Sequence, residues 1–175
     1  MIPGLSPVQA LATNKMGSVF GTATSAVTFY RRVRPDLRTA LPMAAVAALA
    51  AGGGAAVAAA LPESVFTPII VLALIAVLVF TVARPSMGQL TELRHTGAHH
   101  YARAVALGAL IGFYDGVMGP GTGSFLIIAL VSVLGYSFLE ASAKAKIVNL
   151  ATNLGALAVF AAHGSVLWGL GLVLG

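Results

Sequence analysis

The stretch Gly4-Leu5-Ser6-Pro7-Val8-Gln9-Ala10-Leu11-Ala12 can be laid without a gap on Gly135-Tyr136-Ser137-Phe138-Leu139-Glu140-Ala141-Ser142-Ala143. Carried on to Tyr30, the overlay keeps six identities in 27 positions, at Gly4, Ser6, Ala10, Ala12, Lys15 and Phe29. Identity that thin means little among alanine-rich helices, and the polar positions carry the weight. Lys15, Ser18 and Thr22 fall on Lys146, Asn149 and Asn153. Both sets have the spacing i, i+3, i+7, which puts each on one helix face. An internal repeat of this kind marks many membrane carriers, in which equivalent helices from two halves flank one substrate site.

The repeat also predicts what lies outside the chain. A glycine-rich segment precedes Gly135, and its counterpart would lie before Gly4. The second half has no partners for residues 39–83. The expected layout is the middle of a longer protein forming one transmembrane domain. Residues 1–83 make most of a first repeat, 84–103 a cytoplasmic loop, and 104–175 the start of a second repeat.

Composition sets the class. Of 175 residues, 58% are hydrophobic and 9% charged, with a mean hydropathy of +0.94. Soluble domains carry about 25% charged residues, so these few charges cannot cover a water-facing surface, and lipid is the expected solvent. The net charge of +5 does not point to nucleic acid. Its arginines sit in short runs between apolar segments, as cytoplasmic loops do under the positive-inside rule. No cysteine is present, which removes disulfides and thiolate metal sites. The first residues lack the basic n-region of a signal peptide.

Spans of roughly 20 apolar residues are expected for membrane helices. Candidates occupy 8–30, 39–61, 65–83 and 139–162, with 164–175 as the start of another. The basic stretches at 31–38 and 84–103 place those loops in the cytoplasm and the turn at 61–64 outside. Apolar character from Ala104 to Leu134 is interrupted at Gly119-Pro120-Gly121-Thr122-Gly123-Ser124. Proline without a donor and three glycines break a helix, although close helix packing through glycine is also common in membranes. Charge placement leaves open whether 104–134 crosses once or re-enters. The predicted fold is therefore all-α, a polytopic transmembrane bundle of two related repeats with one helix broken at the Gly/Pro-rich segment.

The residues that could carry chemistry are few. Unwound backbone at membrane depth survives only beside protein or a water-filled cavity. Freed N–H groups near Gly121, Thr122 and Gly123, with the helix that resumes near Ser124, suit an anion. Lys15 and Lys146 lie too deep in their spans for snorkelling alone. With Asn14, Asn149, Asn153 and Thr122 they suggest a cationic, hydrogen-bonding pocket for a small oxyanion, whereas Lys144 is nearer the interface and structural. Asp115 precedes the break; it could accept a proton, pair with a lysine, cap the break or sit at a wet helix end. His95, His99 and His100 read as part of a solvated loop, without carboxylate or thiol to complete a metal set. Ser124 and His163 raise an intramembrane serine protease, but the usual Gly-x-Ser-Gly is missing.

Two stretches resemble a known family. One runs from Ala10-Leu11-Ala12-Thr13-Asn14-Lys15 through Gly21-Thr22-Ala23-Thr24 to Phe29-Tyr30-Arg31-Arg32. The other runs from Gly112-Phe113-Tyr114-Asp115-Gly116 through Gly119-Pro120-Gly121-Thr122-Gly123-Ser124-Phe125, then Ala143-Lys144-Ala145-Lys146 to Asn149 and Ala151-Thr152-Asn153-Leu154-Gly155. Together they are similar to the TauE/SafE family, the sulfite exporter-like transporters of bacterial inner membranes. The resemblance implies an eight-helix protein of two four-helix repeats moving sulfur-containing or organic anions. Family members have a glycine-rich N-terminal segment and further C-terminal helices.

The expected function is thus a multi-pass plasma-membrane transporter of small anions such as sulfite and organosulfonates. Lys15, Lys146, Asn149, Asn153, Thr122, Gly121, Gly123 and Asn14 would bind substrate, and Asp115 is the candidate for a coupling proton. No cofactor, catalytic residue or metal is called for. The bilayer and the anion are the expected partners, and a homo-oligomer is compatible with the sequence. The alternatives are a membrane-embedded enzyme and a non-transporting fragment.

Overall fold

A computed structural model of the chain describes residues 5–62, 91–94 and 96–174, with single positions 64, 68, 71, 72, 75 and 78. Most of the span expected at 65–83, with residues 84–90 and 95 of the polar stretch after it, lies outside the described residues. Among those described there is no strand. The helices are α1 Pro7–Val33, α2 Leu37–Ala60, α3 Gly97–Val117, α4 Thr122–Ala129, α5 Phe138–Ala162 and α6 Trp168–Leu174. A π-helical turn, Leu130–Leu134, extends α4.

Local sequence explains where these helices begin and end. Ser6 caps α1 by accepting from the Gln9 N–H at 3.2 Å, and Gln9 returns a bond to the Ser6 N–H at 3.1 Å. Ser137 caps α5 in the same way, accepting from the Glu140 N–H at 3.3 Å. At the other end of α1, Arg31 and Arg32 sit in the last turn, where cations complement the helix dipole. Arg34 turns left-handed (φ 50°) and Pro35 stops the helix.

α2 runs through the middle of the bundle, between α3 and α5. Its buried face is almost all small: Ala40, Met43, Ala44, Ala47, Ala51, Gly54, Ala55 and Ala58. Gly108, Gly112 and Gly116 of α3 meet it at four-residue spacing. A Cβ added at Gly112 would overlap the Ala47 carbonyl, and one at Gly116 the Ala51 carbonyl. On the opposite side, Gly155 of α5 meets the Ala48 carbonyl equally closely. Lipid tails are as apolar as leucine, so contact of this intimacy supplies the dispersion that holds membrane helices together.

α1 packs on α5 and α6. The helices run antiparallel: Asn153 Nδ2 reaches Thr22 Oγ1 at 3.5 Å, and beyond the end of α5 the Leu167 N–H reaches Thr13 Oγ1 at 3.2 Å. Lys15 and Lys146, each nine residues into its helix, therefore point in from opposite ends of the bundle.

Backbone pairing fixes the course of the 104–134 segment. The Glu92 N–H bonds the Gly135 carbonyl at 2.8 Å, and the Arg94 N–H bonds the Leu134 carbonyl at 3.1 Å. α3 thus leaves one end of the bundle, and α4 with its π-helical turn comes back to that end.

At this end a polar cluster ties three turns together. His100 Nε2 lies 2.8 Å from the Tyr136 hydroxyl and 3.4 Å from Thr39 Oγ1. Thr39 donates to Asp36 Oδ2 at 2.9 Å. Lys144 Nζ donates to the Asp36 carbonyl at 2.9 Å and lies 4.5 Å from the centroid of the Tyr136 ring. Lys144 is structural, as its position in the sequence suggested. His100 corrects the solvated-loop reading: α3 already begins at Gly97 and buries this residue to 5% exposure, while His99 stays exposed.

Asp36 gives the cluster a pH dependence. Its partial burial raises the pKa, but the Arg38 N–H, the Thr39 hydroxyl and N–H and the Lys144 charge outweigh that and hold the carboxyl below its usual value. A depressed carboxylate contributes stability that is present above the unfolded pKa, about 3.9. That stability is lost as pH falls through the folded pKa. Thermal unfolding in detergent is expected to show a loss below about pH 4 that Asp36→Asn diminishes; identical profiles for the two proteins would contradict it.

Candidate functional site

Between α1, α5 and the segment joining α3 to α4 lies a cavity of about 530 Å³. α1 contributes Asn14, Lys15, Ser18, Gly21, Thr22 and Ser25, and α5 contributes Lys146, Asn149 and Asn153. Asp115, Gly119 and Pro120 close the remaining wall. Both polar faces read from the overlay of residues 4–30 on 135–161 therefore front one space.

The wall at the break is built by glycine. α3 ends at Val117, and the chain resumes helix only at Thr122. Gly119 (φ 91°) and Gly121 (φ 79°) adopt left-handed backbone that other residues rarely enter. Tyr114 fixes the intervening proline by donating to the Pro120 carbonyl at 2.6 Å.

Charge in the cavity is unevenly committed. Lys15 Nζ stands 2.6 Å from Asp115 Oδ2, with both side chains 2% exposed. Asp115 Oδ1 also accepts from the Thr122 hydroxyl at 2.6 Å, and that hydroxyl lies 2.8 Å from the Gly119 carbonyl. Of the readings left open for Asp115, pairing with a lysine is the one realised here. Lys146 is different: among the described residues it has neither an ion-pair nor a hydrogen-bond partner, and it is half-buried.

The remaining sequence-derived positions separate. Asn14, Lys15, Lys146, Asn149 and Asn153 line the cavity. Thr122 does not; it is buried behind the wall and commits its hydroxyl to Asp115 and Gly119. Gly121 caps α4, and Gly123 abuts Asn149, whose Nδ2 would lie 3.7 Å from an added Cβ. Ser18, Gly21, Thr22, Ser25, Gly119 and Pro120 were missed as lining residues. Ser18 was visible as the partner of Asn149 in the overlay. Ser124 is exposed outside the cavity, and His163 is exposed with its Nδ1 2.8 Å from the Val159 carbonyl. Among the described residues no group of three histidines or carboxylates could hold a metal.

The polar cavity, the glycine break and the paired helices stand in a chain whose residues 1–175 match the family model for the sulfite exporter TauE/SafE. The chain belongs to the TauE/SafE family. It is 38% identical over 175 residues to a probable membrane transporter protein, ORF9, of Sinorhizobium, covering all of this chain and 66% of that relative. It is 31% identical to the probable membrane transporter protein YfcA of Escherichia coli K12, over 99% of this chain and 64% of YfcA. A probable membrane transporter protein of Haemophilus influenzae is 28% identical, over 99% of this chain and 68% of its own length. The chain thus spans about two thirds of the curated relatives it matches. No solved structure matches it. As a TauE/SafE member it is a helical membrane protein of a transporter family, and among the described residues two helices, Leu37–Ala60 and Phe138–Ala162, are long and apolar enough to cross a bilayer.

Proposed function

We propose that this chain forms the substrate-binding part of a multi-pass inner-membrane carrier for small oxyanions, sulfite and organosulfonates among them. The observation that carries the reading is Lys146, a half-buried cation without a partner among the described residues, on the wall of a polar cavity. Burying a charge without a counterion is costly, and a visiting anion would offset that cost. Asn149, Asn153, Asn14 and Ser18 offer hydrogen bonds at the same wall. Asp115, paired with Lys15, is the group placed to carry a coupling proton.

The two polar helices support a repeat of inverted topology. α1 and α5 start on matching serine caps, hold a lysine at equal depth and run in opposite directions. Carriers built this way bind substrate near mid-membrane between the repeats, against irregular backbone. The return of α4 supports a re-entrant arm. Its 13 residues with the π-helical turn, Thr122–Leu134, span about 20 Å against a hydrocarbon core of about 30 Å.

The test is flux of labelled sulfite and of labelled organosulfonates into or out of vesicles carrying the full-length protein. Saturable flux that unlabelled oxyanions compete is expected. Folded protein in sealed vesicles that moves none of them would overturn the reading.

A further inference from the structure

The ion pair at one end of the cavity and the lone lysine from the other end divide its charge in a way that bears on which anions it takes. With Asp115 ionised, Lys15 is neutralised at 2.6 Å and the lining carries one net positive charge, held by Lys146. Among the described residues Asp115 is the only carboxylate in that lining. Among the described residues no other acid faces it from a packed neighbour. α1 brings Lys15, α4 brings the Thr122 hydroxyl, and α5 brings Lys146, Asn149 and Asn153 to the shared cavity. α2 presents the small, uncharged Ala51, Gly54 and Ala55 around Gly116 and Val117. The neighbouring Tyr114 commits its hydroxyl to Pro120.

Resting on the anion-carrier reading, we propose that a proton on Asp115 converts the cavity from a site of one net positive charge into one of two, by releasing Lys15 from its counterion. The proton and an anion bearing two acid groups then bind together. Protonation removes the counter-charge from Lys15 and raises the net charge of the lining from one to two. The added positive charge favours an anion with two negative charges over an anion with one.

The hydrogen bonds around Asp115 accept either state. Thr122 has one hydroxyl proton and two acceptors in range, Asp115 Oδ1 at 2.6 Å and the Gly119 carbonyl at 2.8 Å. When Asp115 is ionised that proton serves the carboxylate. When Asp115 carries a proton on Oδ1, Thr122 turns its own toward Gly119 and accepts from Asp115. Asp115 Oδ1 and the Thr122 hydroxyl thus keep each other as partners in either state. The geometry therefore stores a reversible proton site without rebuilding the wall.

The test uses two probes whose own charge is fixed across the range, methanesulfonate with one acid group and ethanedisulfonate with two. Binding is measured on the purified full-length protein in detergent as pH is lowered, together with proton uptake in weakly buffered solution. The ratio of ethanedisulfonate to methanesulfonate affinity is expected to rise by up to about tenfold for each pH unit of acidification. Up to one proton is taken up per disulfonate, as linkage of one proton to one ligand requires. Asp115→Asn should bind the disulfonate tightly at every pH and take up no proton. A wild-type affinity ratio that does not change with pH, or disulfonate binding without proton uptake, overturns the switch even if Asp115→Asn fails to fold. If neither probe binds at any pH, the anion-cavity reading falls as well; a constant ratio with firm binding of both removes the switch alone.

Discussion

Lys146→Ala in the full-length protein is expected to cut oxyanion flux in vesicles by about ten- to a hundredfold while leaving the protein folded. The ammonium is unpaired among the described residues, so its removal strands no carboxylate and opens no ion pair. What disappears is a charged donor to the anion, worth about 1.5–3 kcal/mol, and each 1.4 kcal/mol is about tenfold. Lys146→Arg should retain part of the flux because the charge remains. Lys15→Ala is a poorer probe of the same site. It leaves Asp115 buried without its partner, a loss of about 3–5 kcal/mol when one member of a buried pair is removed, so its first effect is on folding. Unchanged flux for Lys146→Ala at normal expression would remove Lys146 from the site.

Gly112→Val is expected to abolish the folded bundle. The added side chain would meet the Ala47 carbonyl, Cα and carbonyl carbon of α2, and main chain cannot rotate aside as a side chain can. Overpacking of well-packed interiors costs about 1–3 kcal/mol and sometimes more. Here the helices must also separate, which forfeits contacts along the whole seam. Gly53→Ala is the comparison. Gly53 is exposed on α2, and nothing lies within 4 Å of an added Cβ. Alanine there should be neutral or stabilising by about 0.5–1 kcal/mol. Melting temperature and monodispersity in detergent report both; equal behaviour of the two variants would contradict the close-packed seam.

Much of this arrangement is legible in the sequence because lipid leaves the chain few options. The spans at 8–30, 39–61 and 139–162 became α1, α2 and α5 within a few residues at each end. Span ends were readable because Arg31, Arg32 and Pro35 stop α1, while Asp36 caps α2 and Ser137 caps α5. The cavity was legible at Lys15, Lys146, Asn149 and Asn153, since polar residues at helical spacing in an apolar span must face protein or water. The part that stayed hidden depends on contacts across the fold. Nothing local tells that Thr122 bonds backward to Asp115 rather than outward to a ligand, or that Asp115 claims Lys15. His100 was hidden because its partners Thr39 and Tyr136 are 61 and 36 residues away. The four-residue spacing of Gly108, Gly112 and Gly116 was in plain view, and it signals a helix seam.

That spacing also creates an ambiguity of alignment. A ladder of glycines facing a ladder of alanines, both stepping by four residues, looks nearly the same after sliding one helix along the other by a turn, about 5.4 Å. Dispersion along the seam rewards closeness but distinguishes poorly between neighbouring notches. What breaks the degeneracy is the irregular end, where Met43 packs against Gly108 and His100 meets Thr39 and Tyr136. A slip of one notch would carry His100 away from its partners and leave buried polar atoms unpaired. Like a single asparagine in a coiled coil, this small cluster acts as the index pin of a scale whose divisions are otherwise alike. It keeps Asp115 level with Lys15 some four turns away.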